Sequence, residues 1–108
     1  MSPTRKIRQL NDEFRHTLKG GQAFFTVGVS ALGIAFSHRA LAAVRAFDQF
    51  SPNNDPWHEH DFGSIEVDGQ RVFWKIDVYD RDLRYGSPDP SDPEVSRRVL
   101  TVMLAEEY

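Results

Sequence analysis

The sequence predicts an α+β domain with elements in the order α-β-α-β-β-α and a small, mainly antiparallel sheet, with helices packed on its apolar side. Three observations lead there. Asp68-Gly69 lies between two alternating runs, which is the signature of a two-residue hairpin. Ile7, Leu10, Phe14 and Leu18 recur at three- and four-residue spacing, which marks an amphipathic helix. Asp92-Pro93-Glu94 has the chemistry of a helix start, with a capping carboxylate, a proline at the first helical position and an acid in the first turn.

In chain order, the first helix is expected over residues 2–19, opened by Ser2-Pro3 or Thr4 and closed by Gly20-Gly21. The run QAFFTVGV, short and rich in β-branched and aromatic residues, predicts a strand over residues 22–27 or 22–29. ALGIAF reads as a turn or a short helical piece. A second helix is expected over residues 37–50, with Ser37 as N-cap and Leu41, Val44 and Phe47 as its apolar stripe. SPNNDP stops it.

Placing Asp68-Gly69 at the hairpin turn sets Ile65 opposite Val72 and Glu66 opposite Arg71. Val67, Trp74, Ile76 and Val78 then share the side of Ile65, while Phe73, Lys75, Asp77 and Tyr79 share the side of Glu66. RDLRYGSPDPSDP predicts a stiff, ordered connection anchored by Leu83 and Tyr85. The last helix would bury Val95, Val99, Val102 and Met103, with Leu100 at its edge. The first strand is expected to pair with one edge of the hairpin. A three-stranded sheet leaves edges open, so a homodimer through an edge or through the aromatic outer side is an expectation.

At 108 residues the chain predicts a single domain, 1–108. It has no cysteine, which removes disulfides, thiolate metal sites and a cysteine nucleophile. No apolar run approaches membrane-spanning length and no signal-peptide core is evident, so the expected setting is cytoplasmic, without membrane contact. Charge is segregated. Residues 1–20 carry a net +3, whereas residues 48–94 carry twelve acids against Arg71, Lys75, Arg81 and Arg84, a net −8. That acidic half disfavours nucleic acid as a partner and favours cations or basic protein surfaces. The basic first helix reads as a solvated face, since no aromatic or second basic patch reinforces it.

The densest polar stretch is NNDPWHEHDFG. Extending the hairpin register upstream would put His60 opposite Asp77 and His58 opposite Tyr79, so that His58, His60 and Asp77 could hold a divalent metal. Glu59, His60, Asp61 and Asp77 could instead serve as an acid/base cluster. A bland alternative is that the histidines are turn or strand-end residues. No serine stands in a nucleophile elbow and no glycine-rich loop could cradle phosphates. Asp61-Phe62-Gly63 resembles the kinase magnesium tripeptide in a chain too short for a kinase. His58-x-His60 is not the deaminase pattern, which needs paired cysteines. Trp57, Arg71, Phe73, Lys75 and Tyr79 form a candidate binding surface of mixed aromatic and charged character, unless a helix covers that side.

The phrases N-D-P-x-x-E-H-D-F-G at residues 54–63, W-K-I-D-x-Y-D at residues 74–80 and G-S-P-D-P at residues 86–90 carry a resemblance. With them the chain resembles, from about Ile7 to Tyr108, a bacterial family of small single-domain proteins of unknown function, often encoded on plasmids and other mobile elements. The resemblance implies no activity, cofactor or catalytic residue. It does imply an accessory role, and that the position of His58 need not be histidine and is often glycine. The leading expectation is therefore a cytoplasmic accessory module that binds and modulates another protein through an acidic loop-hairpin surface. The alternatives are a metal-dependent or acid/base hydrolase-type enzyme, and an anti-defence inhibitor that imitates nucleic-acid charge.

Overall fold

In the computed structural model, which describes residues 2–108, the chain forms helix α1 (Pro3–Thr17), strand β1 (Gly21–Phe25), helices α2 (Val27–Ala31) and α3 (Ile34–Ala46), and strands β2 (Phe62–Val67), β3 (Gln70–Tyr79) and β4 (Arg97–Leu104). Single 3-10 turns at Pro93–Val95 and Ala105–Glu107 flank β4. The class is α+β, with a four-stranded mixed sheet in the order β1-β4-β3-β2. Only the β1–β4 pair is parallel.

The hairpin forms in the expected register, with Ile65 opposite Val72 and Glu66 opposite Arg71. Asp68 (φ 51) and Gly69 (φ 78) both take the left-handed backbone that a tight two-residue turn demands. Arg39 of α3 donates to the Asp68 carboxylate and ties the turn to the helical layer. Ser2 caps α1 through its hydroxyl, which accepts from Arg5 N at 3.2 Å. Leu18 (φ 60) ends that helix in a left-handed turn.

The last element differs from expectation. Asp92 does accept from Glu94 N at 2.9 Å and Pro93 does open a helical turn, but the turn stops at Val95 and the chain continues as β4. The segment 97–104 satisfies two periods at once. A helical stripe runs through Val95, Val99 and Val102, while strict alternation runs through Arg98, Leu100, Val102 and Leu104. The second wins because β-branched residues are stiff in helices and because β4 is central, with hydrogen-bonding partners on both sides. β1 accordingly pairs with β4 rather than with the hairpin.

Earlier in the chain, Thr26 ends β1 and caps the one-turn helix α2. Helix α3 starts at Ile34 behind Gly33 (φ 100), so Ser37 lies inside it rather than at its cap. It stops at Ala46, short of Phe50.

The helices contribute Phe14, Val29, Phe36, Ala40 and Val44 to one core, packed on Val67, Val72, Trp74, Ile76, Leu100, Val102 and Leu104 of the sheet. Trp74 is fully buried. Its indole lies against Gly63, where an added Cβ would run into Nε1 and its neighbouring ring atoms. Since the indole has no free space to retreat into, Gly63→Ala should destabilise the fold by about 1–3 kcal/mol, the range for overpacked interiors. Urea denaturation, read by the midpoint at unchanged m-value, checks this.

Candidate functional site

The connection from α3 to β2 is built by local polar bonds and then clamped onto α1. Ser51 N donates to Asn54 Oδ1 at 2.8 Å, Asn54 Nδ2 donates to Gln49 O at 2.8 Å, and Asp55 N donates to Ser51 O at 2.8 Å. These bonds place Asp55, a buried carboxylate, beneath the following loop. There His60 N donates to Asp55 Oδ1 at 3.2 Å. The His60 ring then sits between two acids. Nδ1 lies 2.9 Å from Asp12 Oδ1 and 3.0 Å from Oδ2, and Nε2 lies 3.5 Å from Asp55 Oδ2. A charged imidazole donates from both nitrogens, a neutral one from a single nitrogen. The ring also stacks flat on Phe50, with centroids 3.7 Å apart and planes 4° from parallel.

Asp12 is held in turn by Arg15, whose Nη2 donates to Oδ1 at 3.0 Å. Arg15 is 1% exposed. Its Nη1 donates to Val44 O at 3.0 Å, Arg45 O at 3.3 Å and Phe47 O at 2.8 Å, so it caps the C-terminal end of α3. Arg45 returns the bond, donating from Nε and Nη2 to His16 O at the end of α1. One residue before Asp12, buried Asn11 donates to Glu59 O at 2.9 Å and accepts from Arg98 Nε at 2.7 Å. Arg8 donates to His58 O at 3.2 Å.

This geometry corrects the expected cluster. The hairpin ladder ends at Phe62 opposite Lys75, with one further bond from Ile76 N to Asp61 O at 2.9 Å. His60 (φ 54) then turns the chain away, so it faces Asp12 and Asp55 and not Asp77. Asp77 lies on the outer side of β3, 3.1 Å from Lys75 Nζ. His58 (φ 59) is exposed. The set His58, His60 and Asp77 therefore does not assemble, and among the described residues no group of three or more His, Asp or Glu is arranged to hold a metal ion.

Two members of the cluster are electrostatically unfavourable where they stand. Burial pushes the Glu59 carboxyl above its ordinary value, and Asp61 and Asp55 push it further. Burial likewise raises Asp61, with Asp55 and Asp77 adding to the effect, while its own backbone N–H and His60 offset part of it.

The other candidate residues divide. Arg71, Phe73, Lys75 and Tyr79 share the side of β3 that faces away from the core. Phe73 and Phe62 have ring centroids 5.3 Å apart, and Tyr108 stands 5.6 Å from each. Trp57, 77% exposed, belongs to the α3–β2 connection instead. Sequence reasoning missed Asn11, Asp12, Arg15 and Arg98, which build the junction. A trace of them was available, since Asn11 and Arg15 lie four apart beside the apolar stripe of α1.

A family model described as a protein of unknown function, DUF3768, matches residues 25–107. The chain belongs to the DUF3768 family. The DUF3768 match starts at the end of β1, so it is shorter than the resemblance from Ile7 and leaves out α1, which supplies Arg8, Asn11, Asp12 and Arg15 to the junction. No curated protein and no solved structure matches the chain.

The two left-handed histidines should respond oppositely to glycine, which relieves the same backbone strain at both. His58→Gly should be neutral or stabilising by up to about 1 kcal/mol. His60→Gly should cost about 1–3 kcal/mol because it removes the ring that bridges Asp12 and Asp55 and stacks on Phe50. Thermal unfolding of the two variants checks the contrast. The raised carboxyls give a second expectation. The folded state holds protons there that the unfolded chain has released, so stability falls as pH rises from the ordinary carboxylate value to the raised one, then stays level. At neutral pH the charged forms are a net cost, and Glu59→Gln and Asp61→Asn should be neutral or stabilising. Their gain should vanish in unfolding measured below the ordinary carboxylate range.

Proposed function

We propose that this DUF3768 chain is a binding module for another protein, working through the face of its sheet that points away from the helices. The observation that carries this reading is the composition of that face. Half-buried Phe62 and Phe73 and exposed Tyr108 form an aromatic cluster, framed by the Glu66–Arg71 and Lys75–Asp77 pairs and by Tyr79. Aromatic anchors ringed by polar and charged groups are what protein contact surfaces use, the rings supplying buried area and the charges orientation. The charges on this face are balanced, Glu66 and Asp77 against Arg71 and Lys75, so they set orientation rather than select a strongly basic partner. A cytoplasmic accessory protein of a bacterial mobile element, modulating a host or element protein, is the setting we attach to this activity.

A homodimer is the second reading, favoured by the other end of the sheet. Strand β1 is an edge strand whose sequence, GQAFF, carries no charge and no proline to block pairing. Around it Phe24, Val27, Leu32 and Ile34 are 52%, 86%, 44% and 77% exposed. Antiparallel pairing of two β1 edges would bury them in an isologous interface. The enzyme reading has less support, because His60 is engaged as a joint between loop and helix and Asp77 is paired with Lys75.

Capture from a host lysate tests the main reading. A partner retained by the wild-type chain should be lost with Phe73→Ala, since a central aromatic anchor is worth about 2 kcal/mol or more, roughly a thirtyfold loss of affinity. Retention of every captured protein by the folded variant would sink the proposal. Light scattering across a concentration series tests the dimer separately, with Val27→Asp expected to give monomer.

A further inference from the structure

A cavity of about 430 Å³ opens between α1 and the segment that leads into β4. Half-buried Leu10 and buried Phe14 wall it from α1, and Pro93 walls it from the other side. Two buried polar side chains, Ser96 and Arg98, line it as well. The Ser96 hydroxyl is spent, since it donates to Asp89 O at 3.0 Å and meets Ser87 Oγ at 2.7 Å.

Arg98 is not. It alternates with Leu100 and Val102 on the side of β4 that faces the helices, and it is 6% exposed. Its Nε donates to Asn11 Oδ1 at 2.7 Å and its Nη2 to Pro90 O at 2.8 Å, both neutral acceptors. Nη1 meets no acceptor among the described residues, yet it is not sealed from solvent. No carboxylate of the described residues lies within ion-pair distance of the guanidinium. Burial pushes this group below its ordinary value. A buried cation with neutral partners and a free donor is costly, and an anion in the cavity would offset that cost.

We infer that this cavity binds a small organic monoanion, a carboxylate on an apolar body, with its head group on Arg98 and its body against Leu10, Phe14 and Pro93. The volume lies within the range of about 300–1,000 Å³ usual for ligand pockets, and mainly apolar walls with one oriented polar group are their usual composition. Charge selects the head group. Lys19 and Glu13 stand exposed at the rim and oppose each other, so Arg98 leaves one positive charge to neutralise. A monoanion does so, whereas a phosphoryl dianion would leave excess negative charge beside Glu13. The Thr17 hydroxyl at the rim is engaged with Glu13 O and Lys19 N, so recognition falls to the guanidinium. The cavity is on the helix side of the sheet and Phe73 on the other, so the site does not rest on the protein-binding reading.

Calorimetric titration with phenylacetate, with its neutral amide phenylacetamide and with acetate, at equal ionic strength, tests the cavity. Phenylacetate should bind saturably. The amide lacks the charge and acetate lacks the body, so each should bind at least about tenfold more weakly. By NMR, phenylacetate should shift the Arg98 Nε–Hε and Leu10 methyl resonances. Glu13→Gln removes the opposing charge and should tighten binding about two- to threefold, while Lys19→Ala should weaken it by a similar factor. Both positions are exposed, so the fold survives either change. Arg71→Ala, on the outer face of the sheet, should leave binding unchanged. Absence of saturable phenylacetate binding, an amide that binds as tightly, shifts confined to other residues, or an affinity that neither rim variant alters overturns the proposal.

Discussion

The Arg15 guanidinium is the constraint on which most of the architecture rests. It is almost completely buried, yet its Nη1 meets three carbonyls at the end of α3 and its Nη2 meets Asp12. Its plane lies over Trp74 at 5.1 Å and Phe50 at 5.5 Å from the ring centroids. The last carbonyls of a helix lack intrahelical donors, so a cation there satisfies bonds and complements the helix dipole at once. Arg45 does the same for α1, and the two helix ends cap each other across their contact. Everything downstream inherits this arrangement. Asp12 is oriented by Arg15, His60 is oriented by Asp12, and His60 sets where β2 can begin. Removing one partner from such a buried chain of charges costs more than the pair contributes, because the survivor remains buried. Rigidity of the junction therefore follows from cost rather than from bond strength.

That dependence explains which parts of the fold were legible in the sequence. The hairpin was, because Asp68-Gly69 and the alternation on both sides are local signals that agree with one another. Helix α1 was, in its stripe and its Ser2 cap, which are local too, although Leu18 rather than Gly20-Gly21 ends it. The final strand was not, because its residues satisfy both periods and only the long-range partners β1 and β3 decide between them. The junction was half legible. Its turn residues form a polar turn, although α3 already ends at Ala46, and the direction of His60 depends on Asp12, which lies 48 residues away. Extrapolating a strand register through a left-handed residue fails for a physical reason. That backbone state reverses the side-chain alternation on which register arguments depend.

The resemblance and the structure meet at position 58. The resemblance implies that glycine is accepted there, and the backbone at His58 is left-handed, which glycine adopts at no steric cost. The side chain of His58 is exposed, and its carbonyl, which any residue would present, is what accepts from Arg8. His60 has the same backbone state and the opposite logic, for there the ring makes the contacts. Two histidines two residues apart look equivalent in a sequence. Here one is an exposed side chain on a left-handed backbone and the other is a joint.

The acidity of the middle of the chain invites a reading as an imitation of nucleic acid, and the use of those acids argues against taking net charge at face value. A phosphate-like surface needs carboxylates that are free and regularly spaced. Asp55 is buried beneath His60, Asp68 and Asp77 are paired with Arg39 and Lys75, and Asp80, Asp89 and Asp92 bond backbone amides in turns. An acid that accepts a backbone N–H in a tight turn does the work that regular secondary structure does elsewhere, and a long loop segment needs many of them. Much of the negative charge is thus explained by the length of the irregular segments at 47–61 and 80–96.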